Sequence, residues 1–493
     1  MKHYKLKATL ASLFILCTTG VGAQSLNSSY FMEGMTYRHQ LNPAFMNESN
    51  YINLPFFVLG NFNVGLQGNV GVNDFLYKYN QNGYKLTTFM NPTVGSQEFL
   101  SNLHTNNHLS VNLRMPIIAF GFRGFGGFNT FEIAFRSNTS VNLPYGLFDF
   151  MKTGMSDEGG THYRVKDLTV RSNNYAEVAL GHSHEIIKDR LTIGAKVKFL
   201  VGGANAEAKI KRMDITMGQD EWLIDAEGQV EGSLKGGYFE SKEPDEHGKP
   251  GEIDGFDIDG PGIGGYGVGF DLGAVYKMDD YVEGLTLSAA LLDLGFIKWN
   301  NHSVNFVGEI NDGGSFYDNG AFVFTGLTNE QVQAIMDDEH FADHLMDSLT
   351  GYFNLTPQNV AGYTTGLYTN LMVRGYYDLD ATNRFSAQFM GYNLGMGMKP
   401  AVTLAYTGSF KEQYDVVATY TMMPGSFDNL GIGLSANFGG LLMYVATNNI
   451  FGFFNPANRT NLNAQFGISF TSGEKVSRAE TIIIKDQAAE AGE

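Results

Sequence analysis

Residues 265–278, GYGVGFDLGAVYKM, alternate without a break: Tyr266, Val268, Phe270, Leu272, Ala274, Tyr276 and Met278 form one series, and Gly267, Gly269, Asp271, Gly273, Val275 and Lys277 the other. A period of two makes a strand with one apolar face, and this one is much longer than the five or six residues usual in soluble sheets. The pattern recurs at about 54–72, 108–123, 128–142, 174–187, 190–204, 265–278, 284–297, 366–379, 384–395, 400–410, 414–423, 428–438, 440–450 and 460–471, which makes fourteen candidate strands, an even number. Beyond the N-terminus nothing reaches 18 consecutive apolar residues, so no helix is expected to span a membrane.

The connections decide what lies against the apolar series. Those after the odd-numbered strands are long at first, at 73–107, 143–173, 205–264 and 298–365, and shorten to 396–399, 424–427 and 451–459. Those after the even-numbered strands are tight: GFGG, KDR, DDYVEG, DATN, KEQY and GG. A sandwich has no reason to sort its loops this way, whereas a bacterial outer-membrane barrel does, with its short turns in the periplasm. Hydrocarbon also forbids an open sheet edge, which favours a closed ring of strands. The fold class expected is therefore all-β, a transmembrane antiparallel β-barrel of about 14 strands with its apolar series toward lipid. The other series then lines the lumen and brings Arg114, Glu132, Arg136, Asp271, Lys277, Arg374 and Asp415 inside. Glu132 and Arg136 stand four residues apart on one face, about 13 Å along a strand, too far to pair directly; each is expected to meet a neighbouring strand or a luminal segment.

The first residues, MKHYKLKATLASLFILCTTGVGAQ, read as a secretory signal, 1–23, cut after Val21-Gly22-Ala23. Lipid attachment at Cys17 is disfavoured by the bulky Leu16 before it. The mature chain then has no cysteine, hence no disulfide framework, and its net charge moves from −18 to −21 with the loss of three lysines. So acidic a chain is a poor partner for nucleic acid. The 60 glycines and the aromatics (38 Phe, 25 Tyr, 2 Trp) suit tight turns and aromatic girdles. The charge is concentrated in two insertions: 206–264 carries 15 acids and 6 bases, and 298–365 carries 9 acids and 1 base. Both are expected outside the cell, as long acidic extracellular loops.

Between signal and first strand, residues 37–50, YRHQLNPAFMNESN, do not read as a strand. Asn42-Pro43 is a turn signal, and Ala44-Phe45 gives it an apolar tip. An NPA motif soon after a signal, followed by fourteen strands, resembles the FadL-type outer-membrane superfamily, and within it the Bacteroidota barrels of unassigned function. The stretches that carry this are QLNPAF (40–45), LLDLGFIKWNN (291–301) and the closing strand NPANRTNLNAQFGISF (455–470). The resemblance implies an N-terminal plug, 24–52, carrying Asn42, Pro43, Ala44 and Phe45, ahead of a barrel at 53–471. It also implies uptake of a small hydrophobic compound past that plug. Two departures weigh against fatty-acid uptake. The chain continues through a tail at 472–493, expected in the periplasm, and the 206–264 loop is an acidic mouth for a carboxylate. Similar barrels include accessory subunits of secretion machinery, and the alternative is such a structural subunit, binding an outer-membrane or periplasmic protein partner through the loops and the tail.

Other motifs carry less. GHSHE (181–185) half-matches a nucleophile elbow but has Glu185 for the last glycine and a strand for its context; His182 and His184 fall on the lipid side. Gly260, Gly262 and Gly265 fit a dinucleotide fingerprint without its strand-to-helix setting. Glu252, Asp254, Asp257 and Asp259 are a weak Ca²⁺ candidate, since Gly255 breaks the required alternation; a solvated loop explains them as well. Residues 328–353 read as a helix, capped by Thr328 and Gln331, whose stripe Val332, Ile335, Met336, Leu345, Met346 and Leu349 packs on the barrel mouth or docks a partner. No metal site and no cofactor are expected. The enzyme reading, an outer-membrane hydrolase, ranks third behind transport and partner binding.

Overall fold

A computed structural model describes residues 27–472 apart from 33, 48, 54–61, 82–83, 155–160, 218–220, 235–236, 242–252, 259–261, 300–303, 311–321, 326–361, 394–396, 412 and 455–458. Its wall has fourteen strands: β1 (Asn50–Asn53 and Phe62–Gly68), β2 (Asn106–Gly124), β3 (Gly127–Pro144), β4 (Thr161–Ile187), β5 (Leu191–Met217), β6 (Gly265–Lys277) and β7 (Leu285–Trp299), then β8 (Asn370–Asp378), β9 (Asn383–Asn393), β10 (Met398–Phe410), β11 (Tyr414–Met423), β12 (Ser426–Asn437), β13 (Leu441–Thr447) and β14 (Asn461–Ser472). Each pairs antiparallel with the next, and β1 pairs with both β2 and β14, Leu66 facing Val111 on one side and Leu462 on the other. These fourteen strands close into a barrel, the arrangement that hydrocarbon requires.

The alternation in sequence becomes alternation across the wall. On β6 Phe270 is 43% exposed and the next residue, Asp271, 1% exposed. Leu272, Phe199, Phe296, Val373, Phe385, Leu404 and Val445 likewise point outward. Among the described residues no helix is long and apolar enough to cross a membrane. A closed barrel with an apolar outer face points to the bacterial outer membrane. The even-numbered strands hand on through tight turns, as at Gly124–Gly127, where Phe125 (φ 57°) and Gly126 (φ 77°) are both left-handed. Two such residues in a two-residue loop match the twist of the hairpin.

Two elements differ from the periodicity. β4 and β5 are each 27 residues long and pair from Ile187–Leu191 to Thr161–Met217, well into the stretches that read as loops. At ~3.3 Å per residue each is about 90 Å long, far more than an apolar band of ~25 Å needs. Above the band the hairpin register continues and one face stays apolar, Tyr163 and Val165 opposite Ile215 and Met213, packed against Leu147 and Phe150 instead of lipid. Strand Glu221–Leu234 extends this sheet and pairs onward with Val304–Ile310 and Phe322–Thr325. β1 is described in two portions. From Asn53 to Asn63 it has nine intervening residues where β2, from Ala119 to Arg114, has four.

Several expectations fall outside the described residues: the signal at 1–23, the tail beyond Ser472, and the stripe Val332, Ile335, Met336, Leu345, Met346 and Leu349. Glu252 and Asp259 do too, while Asp254 and Asp257 sit on strand Ile253–Ile258, which pairs with Gly237–Ser241.

Candidate functional site

The interior is occupied by the chain's own N-terminal segment. Tyr30, Phe31, Met32, Met35, Tyr37, Leu41, Ala44 and Phe45 are buried and pack with inward side chains of the wall, among them Tyr51, Phe128, Leu292, Met372 and Tyr444. Asn42 and Pro43 form a turn in which the Phe45 amide donates to the Asn42 carbonyl (3.1 Å) and the Ala44 amide to Asn42 Oδ1 (2.9 Å). Proline at the second position and asparagine at the first are the residues such a turn selects. Asn42 Nδ2 then donates to the carbonyls of Ala274 (3.3 Å) and Ala289 (3.2 Å) on β6 and β7. The wall is cut to receive the turn: a Cβ on Gly194 would overlap the Pro43 carbonyl, and one on Gly273 would overlap Asn42 Oδ1.

On the β2–β7 side the segment meets a charge network drawn from six strands. Arg114 Nη2 bonds Glu132 and Glu177, each at 2.8 Å. Arg136 bonds Glu177 at 3.1 Å and grips Asp293 through both oxygens, at 2.7 and 3.0 Å. Lys198 Nζ lies 2.6 Å from both Asp271 and Asp293, and Lys196 Nζ 3.9 Å from Asp271 Oδ2. Four bases face four acids, so the network is neutral. Glu132 and Arg136 are linked through Arg114 and Glu177. Asp293 owes its place to a β-bulge: Phe270 pairs with Leu294 but Leu272 with Leu291, so Leu292 and Asp293 both turn inward, Asp293 at φ 57°. Its amide donates to Asp271 Oδ1 at 2.8 Å.

The segment docks on this network through two side chains. Gln40 Nε2 donates to both oxygens of Glu132 (3.1 and 3.0 Å). Lys196 Nζ donates to His39 Nδ1 and to the His39 carbonyl, both at 3.1 Å, and His39 Nε2 lies 2.8 Å from the Tyr51 hydroxyl. Nδ1 therefore accepts, and the ring is neutral with its proton on Nε2. Burial first, and then the charges of Lys196, Arg114 and Lys198, hold His39 well below the usual histidine range.

Across the lumen Arg374 is buried beneath the rings of Phe31 (4.4 Å), Tyr30 (4.8 Å) and Tyr376 (5.0 Å), and donates to the Tyr30 carbonyl (3.4 Å). Among the described residues no carboxylate pairs with it; the ring faces supply the negative potential instead. Asp415 accepts from Ser409, Ser435 and the Gly34 amide. Ser28 bonds Asn448 and Thr419, and Thr36 bonds Ser469. The segment is thus tied to both sides of the barrel. Lys277 is exposed at the tight-turn end of β6, away from the network.

Glu177, Lys196, Lys198, Asp293, His39 and Gln40 were missing from the residues singled out in the sequence. Lys196 and Lys198 were accessible to the same rule, since they alternate with Ile193, Ala195, Val197 and Phe199. Ser183 faces inward and donates to the Phe128 carbonyl, whereas the alternation puts His182 and His184 on the other face. His182 pairs there with Asn129.

A model described as a family of unknown function, DUF5723, matches residues 43–448. No curated protein matches the chain. Similar solved structures are the toluene transporter TodX of Pseudomonas putida (8% identity, 89% of this chain and 93% of that one, TM-score 0.36) and the CymD monoaromatic hydrocarbon channel (8%, 92% and 98%, 0.36). A FadL homologue of Pseudomonas aeruginosa is similar at 10% identity, over 90% of this chain and 93% of that one, with a TM-score of 0.31.

Proposed function

Because the chain belongs to this family of unknown function, DUF5723, its role has to be read from its own geometry, and we propose that it is an outer-membrane barrel that admits a small hydrophobic compound past its N-terminal segment. The observation that carries this reading is the segment itself. The described residues from Ser28 to Asn47 lie inside a closed wall, with glycines placed where the Asn42–Pro43 turn touches it. In this reading Asn42, Pro43, Ala44 and Phe45 act as plug residues. The tight turns face the periplasm, the long acidic connections face outward, and a signal at 1–23 delivers the chain. Apolar clusters toward the long-loop end support the cargo class: Tyr175, Leu200, Ile297, Trp299 and Leu367 on one wall, and Met390, Tyr392, Ala401 and Met423 on another. The compound leaves past the displaced plug or sideways through the wall.

The neutral network favours a second reading. A lumen braced by eight mutually paired charges suits a barrel that transports nothing and serves as an accessory subunit. Extraction of the native protein from outer membranes in mild detergent, with mass spectrometry of proteins and small molecules, separates the two. Transport predicts a lone barrel carrying an apolar small molecule that is lost when Pro43 and Phe45 are changed. A stoichiometric protein partner with no small molecule overturns it.

A further inference from the structure

We propose that the His39–Lys196 contact is an acid-sensitive latch, in which protonation of His39 transfers Lys196 to Asp271 and releases residues 36–47 from the β2–β7 wall. The inference rests on the segment being a displaceable plug. The geometry contains both positions of the latch. In the closed position Lys196 Nζ donates to His39 Nδ1 and to its carbonyl. The alternative acceptor is already in place: Asp271 Oδ2 lies 3.9 Å from the same ammonium, is buried, and has no hydrogen-bond partner among the described residues. A short swing of one lysine side chain exchanges the first set of bonds for the second.

The groups around the ring determine what a proton does there. His39 faces Lys196 and Lys198 from β5, Arg114 from β2, the Tyr51 hydroxyl from β1, and Tyr37 from its own segment. The carboxylate of Glu132 on β3 is taken by Arg114 and Gln40, and Asp271 on β6 stands behind Lys196. A proton from solvent can bind only at Nδ1, because Nε2 already carries one. It turns the acceptor for Lys196 into a donor and sets an imidazolium against an ammonium, and among the described residues no carboxylate bonds to the ring. Lys196 then moves to Asp271 Oδ2, and the His39 carbonyl loses its donor as well.

The sign follows from linkage. A histidine exposed by release titrates near 6.5, whereas the latched ring stays neutral well below that. The open state therefore binds the proton more tightly. Opening does not depend on pH above about 6.5, and becomes about tenfold more favourable per unit as pH falls below it, down to the latched value.

Hydrogen exchange of the full chain in detergent, followed from about pH 7.5 to about pH 5 and corrected for the intrinsic rate, tests this, with circular dichroism recording the barrel. Exchange at 36–47 is expected to rise about tenfold per pH unit below about 6.5 while β content stays constant. In His39→Gln, whose amide oxygen can still accept from Lys196, exchange should stay flat; His39→Asn is the second variant if the first does not assemble. Protection that persists at every pH overturns the latch alone. An equal rise in the variant, or loss of β content together with protection, also overturns it. A segment unprotected at every pH overturns the plug reading beneath it.

Discussion

Asp293 binds two cations from a backbone conformation that few non-glycine residues adopt, and it is the carboxylate on which the luminal network turns. Asp293→Ala leaves Arg136 and Lys198 without it in a buried setting and is expected to cost about 3–5 kcal/mol in denaturant unfolding of the detergent-folded protein. Asp293→Asn keeps two polar atoms at the bulge and should cost less. Asn42→Ala removes the bonds to Ala274 and Ala289 and the cap on Ala44, worth about 1–3 kcal/mol together by the same measurement. The two sites were not equally legible. Asn42 and Pro43 announce a turn by residue type alone, because asparagine caps locally and proline fixes φ. Asp293 sits in the quoted stretch LLDLGFIKWNN, but its inward aim comes from a bulge, and a bulge breaks the very alternation used to assign faces. Gln40 opens the quoted stretch QLNPAF and His39 stands just before it, but no periodicity marks either, and their partners lie on strands far away in the sequence.

At the scale of the element, the face of a residue decides its tolerance. Phe270→Arg puts a cation on the outward face of β6 and is expected to destabilise the barrel by about 2–4 kcal/mol in lipid, since charge near the midplane of the apolar band has no partner there. Lys166→Ala, exposed high on β4, should change stability by no more than about 0.5 kcal/mol. Unfolding in lipid vesicles checks both. The same distinction explains which strands could be read. Thirteen of the fourteen candidate stretches lie within, or overlap closely, a single strand of the wall, because one wet face and one oily face write a period of two into the sequence. The upper halves of β4 and β5 alternate as well, Tyr163 and Val165 opposite Ile215 and Met213, but over a shorter run and against Leu147 and Phe150 rather than lipid, so the stretch read as a loop. Of the candidate strand at 54–72 the described paired portion is Phe62–Gly68, and Asn50–Asn53 pairs ahead of it. The change of register between Asn53 and Asn63, nine residues against four on β2, leaves the composition of an apolar run unchanged and so cannot be seen in it.

For the molecule as a whole, closure was legible because a membrane demands that every backbone group be paired, strand number because each crossing repeats the period of two, and the sorting of connections because their lengths stand in the sequence. What fills the lumen was legible only as a location near Asn42–Phe45. The central claim is that the N-terminal segment closes the barrel, and it is tested most directly by conductance of the purified chain in planar bilayers. The intact protein is compared at neutral pH with Gly273→Leu, which drives Asn42 off the wall, and with a form lacking residues 27–47. The account predicts no steady conductance from the intact chain, intermittent opening in Gly273→Leu, and a lasting open level in the shortened form. An intact chain that conducts as freely as the shortened form would contradict it.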